Sequence, residues 1–181
     1  FFILGSGRNG STLLASILNA HKDIFIPPEQ FFLPYIIMKR YLMFFWSIGK
    51  FKSYILKIIN KKEKTLNWNV NLCNLKVYSK DIPIIINNIY RSYGAKKKGE
   101  IKLWGDKTPI NIHFMNFIYP EFYNAKYIFL VRDPRDVVVS YKKLKKHKAS
   151  NTKYALWKWT DSIKKLKYLE DKTEVLIVKY E

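Results

Sequence analysis

Residues 1–14 read FFILGSGRNGSTLL, and this stretch sets the expected fold. The apolar run 1–4 predicts a short strand, the glycine-rich segment 5–10 a turn, and Ser11 with Thr12 the start of a helix. The apolar face expected for this helix consists of Leu13, Leu14, Ile17 and Leu18. Backbone N–H groups in such a turn point inward, and the positive end of the helix dipole adds to their attraction for negative charge. The stretch therefore predicts a cradle for an anion.

The spacing of this turn is nearly that of the phosphate-binding loop of nucleoside triphosphatases, in which a Lys follows the second Gly. Here Ser11 occupies that position, so no ammonium group reaches a β- or γ-phosphate from it. The basic side chain lies inside the turn instead, at Arg8. We interpret the stretch as a site for a nucleotide that carries a 5′-phosphate, and not as a site for ordinary ATP hydrolysis.

Length and composition predict a globular protein. The chain has 181 residues, of which 48% are hydrophobic and 17% aromatic, so a disordered chain is excluded and we expect a single domain over 1–181. The formal net charge of +19 attracts nucleotides, sulfated or phosphorylated polymers, nucleic acid or an anionic membrane. Many of the lysines are nevertheless expected to be solvated surface residues.

Cysteine and histidine are too sparse for a metal site. Cys73 is the single cysteine, which excludes an intrachain disulfide and a cysteine-based metal site. The histidines have no ligand spacing and stand at His21, His113 and His147. We therefore expect no metal.

The stretch 31–51 is strongly apolar and aromatic, but Pro34 and the pair Lys39-Arg40 interrupt it. This favours a buried or substrate-facing helix over a membrane span, and peripheral membrane contact by a surface helix is the alternative. The chain begins inside a strand without an initiator Met, so we expect a fragment that lacks its native termini. Its location stays open: cytoplasmic for a bacterial protein, or lumenal with an anchor upstream of Phe1.

The rest of the chain alternates helices with short apolar runs. Helices are predicted over about 30–60 with a break at Gly49, from 81 onward, and over 110–118, 134–146 and 152–170. Strands are predicted at 127–131 and, buried, at 175–178, whereas 67–78 is ambiguous and 61–64 reads as a charged loop. Strands separated by helices predict an α/β fold with a parallel sheet of the P-loop type, flanked by helices on both faces.

In such sheets, ligands bind beyond the carboxyl ends of the strands. The glycine-rich turn, the turn that begins at Arg132 and the terminal Tyr180-Glu181 all follow predicted strands, so we expect them at one edge. Arg132 ends its strand, and Ser140 stands eight positions later on the next helix. An Arg fork and a hydroxyl at that reach can bind a further phosphate. The alternative is an Arg paired with Asp133 or Asp136.

Two other residues are candidates for chemistry. Glu29 follows two prolines that fix its backbone, and its carboxylate could remove a proton from an attacking hydroxyl. The alternative is a glutamate that interacts with the N-terminus of a helix. Lys107 lies within the segment WGDKTP at 104–109. It could stabilise negative charge that develops during a reaction, or it could form an ion pair in a surface turn.

These motifs together resemble those of the sulfotransferase family that uses 3′-phosphoadenosine 5′-phosphosulfate (PAPS), in particular the branch of the tyrosylprotein sulfotransferases and their bacterial relatives. The resemblance covers essentially the whole chain. It rests on GRNGSTL at 7–13, PE at 28–29, GDKTP at 105–109, VRDPRD at 131–136 with Ser140, and KYE at 179–181. The usual RSGTT of the family reads RNGST at 8–12, and Asn9 and Ser11 keep polar groups there.

The resemblance implies a role for each matching position. The 5′-phosphosulfate would be held by Gly7, Arg8, Asn9, Gly10, Ser11 and Thr12. Arg132 and Ser140 would bind the 3′-phosphate, and Tyr180 would lie near the adenine. Glu29 would be the general base, since no His stands where the cytosolic branch has one, and Lys107 would steady the sulfuryl group or the leaving oxygen.

The implied reaction is an in-line transfer of the sulfuryl group to an acceptor hydroxyl or amine, with adenosine 3′,5′-bisphosphate (PAP) as product and no metal. The acceptor stays open among peptide tyrosine, glycan, lipid and small molecule. One alternative is a P-loop kinase of small molecules, which would need a Lys beside Ser11 and a carboxylate for magnesium. The other is a non-catalytic basic domain that binds polyanions; nucleic acid is the less favoured of these partners.

Overall fold

The computed structural model of the chain describes residues 1–66, 80–144 and 148–181. The ambiguous stretch 67–78, which contains Cys73, and His147 lie outside the described residues.

A parallel four-stranded sheet forms the centre of the fold. The described residues contain six strands in all: β1 (Phe2–Gly5), β2 (Ile24–Phe25), β3 (Leu103–Trp104), β4 (Asp106–Lys107), β5 (Tyr127–Val131) and β6 (Val175–Lys179). The four-stranded sheet has the order β4-β1-β5-β6, and β2 pairs with β3 in a separate parallel pair. Phe2 lies opposite Asp106 on one side and Tyr127 on the other. The strands predicted at 1–4 and 127–131 are confirmed.

Seven helices connect these strands within the described residues. They are α1 (Ser11–Ala20), α2 (Phe32–Lys39), α3 (Ile48–Leu66), α4 (Ile82–Lys98), α5 (Met115–Glu121), α6 (Pro134–Lys142) and α7 (Thr152–Glu170). Short 3-10 helices occupy Arg40–Met43, Pro109–Phe114 and Lys148–Ser150. None of the described helices has both the length and the apolar character that crossing a membrane requires.

Side-chain caps fix where two predicted helices begin. The Asp81 carboxylate accepts a hydrogen bond of 3.0 Å from the backbone N–H of Ile84 and so caps α4. The Asp133 carboxylate accepts one of 2.8 Å from the N–H of Arg135, with Pro134 at the first position of α6. Each cap satisfies a backbone N–H that has no partner inside its helix.

The two faces of the sheet bury different side chains. Phe2, Leu4, Tyr127 and Phe129 point to one face, into a large cluster with residues of α2, α4 and α5. Ile3 and Leu130 point to the other face, where they contact Ala15 of α1 and Ile26. This alternation follows from the two-residue period of a strand. Helices therefore cover both faces of the parallel sheet, as predicted.

The structure corrects several predicted features. The α1 helix touches the sheet along a narrow stripe, so Leu13 and Ile17 are 58% and 61% exposed and the predicted apolar face is only partly buried. The strand β6 is an edge strand and not a buried one, because β5 is its one partner among the described residues; Leu176 is 60% exposed. The helix break precedes Ile48 instead of falling at Gly49, α3 continues through 61–64, and α6 ends at Lys142.

Candidate active site

A cleft of about 500 Å³ opens at the carboxyl edge of the sheet, where β1 and β5 end. It brings together most of the site residues that the sequence singled out. Those that line it are Gly7, Arg8, Gly10, Ser11, Thr12, Glu29, Arg132, Ser140 and Tyr180. Asn9 and Lys107 are not among the lining residues and lie behind them.

The loop between β1 and α1 has an unusual backbone. Gly7 and Gly10 have φ of 79° and 83°, and Arg8 has φ of 57°, a conformation that costs a non-glycine residue about 1 kcal/mol. The α1 helix that follows has no side-chain cap and no acidic residue in its first turn. Its first N–H groups are therefore free of a competing carboxylate and favour an anion at this end of the helix.

Asn9 holds this loop onto the sheet. Its side chain is fully buried, and its Nδ2 donates a hydrogen bond of 2.9 Å to the carbonyl oxygen of Leu130. A Cβ at Gly5 would lie 1.7 Å from that Nδ2, so only glycine fits there. The Asn9 side chain is therefore engaged with the sheet, and its contact with a nucleotide stays a prediction.

Arg132 and the Arg8 loop touch directly. Arg132 Nη1 donates a hydrogen bond of 3.2 Å to the carbonyl oxygen of Arg8, and Arg8 Nε donates one of 3.0 Å to Ser140 Oγ. The ring of Tyr180 lies 4.5 Å from the Arg132 guanidinium carbon and packs against Gly10, where a Cβ would lie 2.2 Å from the ring. Groups that are distant in sequence thus form one continuous cationic wall.

Of the two acids predicted as alternative partners of Arg132, Asp136 forms an ion pair with it and Asp133 does not. Asp133 pairs instead with Arg135 at 2.7 Å, and the hydrogen bonds from Arg135 lower the pKa of Asp133 to about 2. Arg132 lies 3.8 Å from Asp136 and 3.4 Å from Glu181. Arg132 Nε is buried without a hydrogen-bond acceptor among the described residues. This nitrogen has an ion-pair partner, Glu181 Oε1 at 3.4 Å, but makes no hydrogen bond within the described part of the chain, and an anionic oxygen at hydrogen-bond distance would satisfy it.

Glu29 and Lys107 form an ion pair at the opposite wall. Lys107 Nζ donates a hydrogen bond of 3.1 Å to Glu29 Oε2. The Lys107 side chain is 10% exposed, whereas that of Glu29 is 38% exposed and reaches the cleft. The lysine therefore fixes the position of a carboxylate that solvent and ligands can reach.

A buried polar network around Asp106 fixes the chain segments that carry the Glu29–Lys107 ion pair. Asp106 accepts hydrogen bonds of 2.5 Å from the Tyr90 hydroxyl, 3.1 Å from Asn111 Nδ2 and 3.4 Å from Gln30 Nε2. The N–H of Gln30 also donates to Thr108 Oγ1 at 3.2 Å. Residues 29–30 are thereby tied to residues 106–108. Burial raises the pKa of Asp106 to about 6, although hydrogen bonds from Tyr90 and Thr108 favour its charged form.

Asp106→Asn should change how stability depends on pH. The pKa of Asp106 rises from 3.8 in the unfolded chain to about 6 when folded, so the folded protein binds more protons between these values. The difference in free energy of unfolding, wild type minus Asp106→Asn, should therefore fall by about 3 kcal/mol as the pH rises from 3 to 7. Urea unfolding at several pH values measures this, and a difference that is independent of pH would contradict it.

Two further cleft residues had no signal in the sequence. Lys158 Nζ donates a hydrogen bond of 2.9 Å to the Tyr141 hydroxyl, which donates to the carbonyl oxygen of Ser6 at 3.0 Å. Burial lowers the pKa of Lys158 and raises that of Tyr141 to about 12. Lys158 adds a third cation to the cleft, but in the sequence it is one of several lysines along α7.

No three His, Cys, Asp or Glu side chains within the described ranges gather closely enough to hold a metal ion. His113 instead pairs with Asp161 at 2.5 Å, outside the cleft.

Comparison with known proteins identifies relatives of the chain. The model of the sulfotransferase family matches residues 1–181. The fold is similar to the sulfotransferase domain of the olefin synthase from Synechococcus PCC 7002, with 24% identity, a TM-score of 0.62, and coverage of 99% of this chain and 65% of that one. It is also similar to the sulfotransferase STF9 from Mycobacterium avium, with 11% identity, a TM-score of 0.54, and coverage of 99% and 58%. No curated protein sequence matches the chain. By the coverages given above, the chain spans less than two thirds of the length of each of the two solved sulfotransferase structures.

Proposed function

Because the chain belongs to the sulfotransferase family, we propose that it transfers a sulfuryl group from PAPS to an acceptor hydroxyl or amine. The observation that carries this proposal is the contact between Arg132 and the Arg8 loop at 3.2 Å. It gives one cleft two neighbouring sites for anions, and the donor has a phosphate at its 3′ position as well as the phosphosulfate at its 5′ position.

The residues present fit such a nucleotide. The uncapped start of α1 and the Arg8 side chain suit the 5′ end, and Arg132 with Ser140 suits the 3′-phosphate. The exposed ring of Tyr180 beside Arg132 is a flat apolar surface that would suit the adenine. When bound, the donor supplies the sulfuryl group and a phosphate leaving group.

The chain's own residues would then manage the proton and the charge. Glu29 lines the cleft, where its carboxylate would accept the proton of the acceptor hydroxyl. Lys107 would keep the carboxylate oriented, and its positive charge beside the cleft would stabilise negative charge that develops there. Arg8 would stabilise charge on the bridging oxygen.

The two competing functions lack specific support. A P-loop kinase would place a Lys where Ser11 stands, and the cleft lysine, Lys158, comes from α7 instead. A polyanion-binding surface would not require a cleft in which Arg8, Arg132 and Lys158 face a carboxylate, Glu29.

Thermal stabilisation by nucleotides tests the proposal. PAP should raise the Tm of the chain more than ATP with magnesium does, because PAP has phosphates at both the 3′ and 5′ positions. Adenosine 5′-phosphate should give a smaller shift than PAP, since it lacks the 3′-phosphate. A larger shift with ATP and magnesium would favour the kinase, and equal shifts with PAP and adenosine 5′-phosphate would favour a simple polyanion-binding domain.

A further inference from the structure

An apolar groove of about 640 Å³ lies beside the cleft. It is lined by Phe31, Pro34, Tyr35, Met38, Lys39, Ile110 and Phe114. Its volume is within the range of pockets that hold small ligands. None of these lining residues is acidic, and Lys39 is the single cation among them, in a chain with a net charge of +19. The groove is therefore an apolar region on a strongly basic protein.

The outer face of α2 forms one wall of this groove. Phe32, Leu33, Ile36 and Ile37 are buried on the inner face. A surface helix would ordinarily be polar on the opposite face. Here Phe31, Tyr35 and Met38 stand on that face at helical spacing and are 36%, 52% and 46% exposed. Contiguous exposed apolar surface is typical of ligand-binding grooves and interaction sites.

The groove adjoins the cleft and shares two lining residues with it. Phe31 and Ile110 line both cavities. Phe31 follows Glu29 by two positions, and Ile110 follows Lys107 by three. A molecule that presents a hydroxyl to Glu29 would thus have the groove beside it, and Arg132 does not line that groove.

We propose that this groove binds the apolar body of the acceptor, which is an alcohol with an extended apolar chain. The inference rests on the proposed function, since it names the acceptor of that site. A glycan is a poor fit, because its many hydroxyls would be buried against apolar walls without partners. In the transfer, the acceptor oxygen forms a bond to sulfur and the bond between sulfur and the bridging phosphate oxygen breaks. The electron pair stays on the phosphate, and the hydroxyl proton goes to the Glu29 carboxylate.

A series of n-alkanols tests the groove directly. With PAPS as donor, kcat/KM should rise about 4-fold for each added methylene from 1-butanol to 1-octanol, the factor that corresponds to about 0.8 kcal/mol per buried CH₂. Met38→Glu should abolish this dependence on length, because it places a carboxylate in the groove. Met38→Leu should preserve it. Phe117→Glu is the matched control: Phe117 is also 46% exposed but does not line the groove.

A binding experiment separates this inference from the proposed function. In the presence of PAP, saturation-transfer NMR should detect 1-octanol on the wild type and on Phe117→Glu, but not on Met38→Glu. Absence of octanol binding to the wild type would overturn the inference. So would alkanol rates that do not depend on chain length in an enzyme that sulfates the general acceptor 4-nitrophenol. Either outcome would leave the sulfotransferase proposal intact. Absence of both stabilisation by PAP and transfer to any acceptor would instead refute the proposed function.

Discussion

Glu29→Gln is expected to lower kcat by about 10²–10⁴-fold, the usual contribution of a general base, and to leave the affinity for PAP unchanged. The glutamine keeps the size of the side chain and can still accept a hydrogen bond from Lys107, whose Nζ lies 3.1 Å from Glu29 Oε2. It cannot accept a proton from the acceptor. Single-turnover transfer from PAPS and isothermal titration with PAP measure the two quantities.

The control for this substitution is Glu174→Gln, which removes the same charge at an exposed position that does not line the cleft. Turnover by Glu29→Gln at the wild-type rate would mean that another group takes the proton. A parallel loss of PAP affinity would mean that Glu29 holds the nucleotide binding site together and that its effect on the rate is indirect.

Arg132→Ala is expected to weaken PAP binding by about 10²-fold while the affinity for adenosine 5′-phosphate changes little. The guanidinium lines the cleft, 4.5 Å from the Tyr180 ring, so it can give an anion charge-assisted hydrogen bonds. Loss of such bonds costs about 3 kcal/mol. The preference for PAP over adenosine 5′-phosphate should therefore disappear in this variant.

Arg135→Ala is the matched control, because Arg135 is 88% exposed at its side chain and pairs with Asp133 outside the cleft. Titration of each variant with both nucleotides decides the outcome. If Arg132→Ala weakens both nucleotides equally, Arg132 acts on the 5′ end, and the assignment of the 3′-phosphate to it is wrong.

Features governed by nearby residues could be predicted from the sequence. The strand, turn and helix of 1–20 follow from a short apolar run, closely spaced glycines and an apolar period. The starts of α4 and α6 follow from Asp81 and Asp133, each of which caps the residues directly after it. The proximity of Arg8 to Arg132 also follows, because parallel strands end at one edge.

Features set by tertiary packing could not be predicted. Whether Leu13 is covered depends on how closely α1 approaches the sheet, and nothing near Leu13 in the sequence determines that distance. Lys158 reaches the cleft only because α7 passes beside α6 and brings it to Tyr141. The network around Asp106 joins it to Tyr90 through a fully buried contact, although sixteen positions separate them. Sequence spacing identifies none of these partners.

The hydrogen bond from Arg132 to the carbonyl oxygen of Arg8 leads us to expect that ligand binding in the two halves of the cleft is thermodynamically coupled. A group that fixes the Arg132 guanidinium also fixes the backbone of the loop, which Arg8 enters in a strained conformation. A ligand bound in one half then raises the affinity of the other half for its ligand. By reciprocity, each ligand strengthens binding of the other by the same free energy. Two separate fragments of the nucleotide would consequently bind with positive cooperativity.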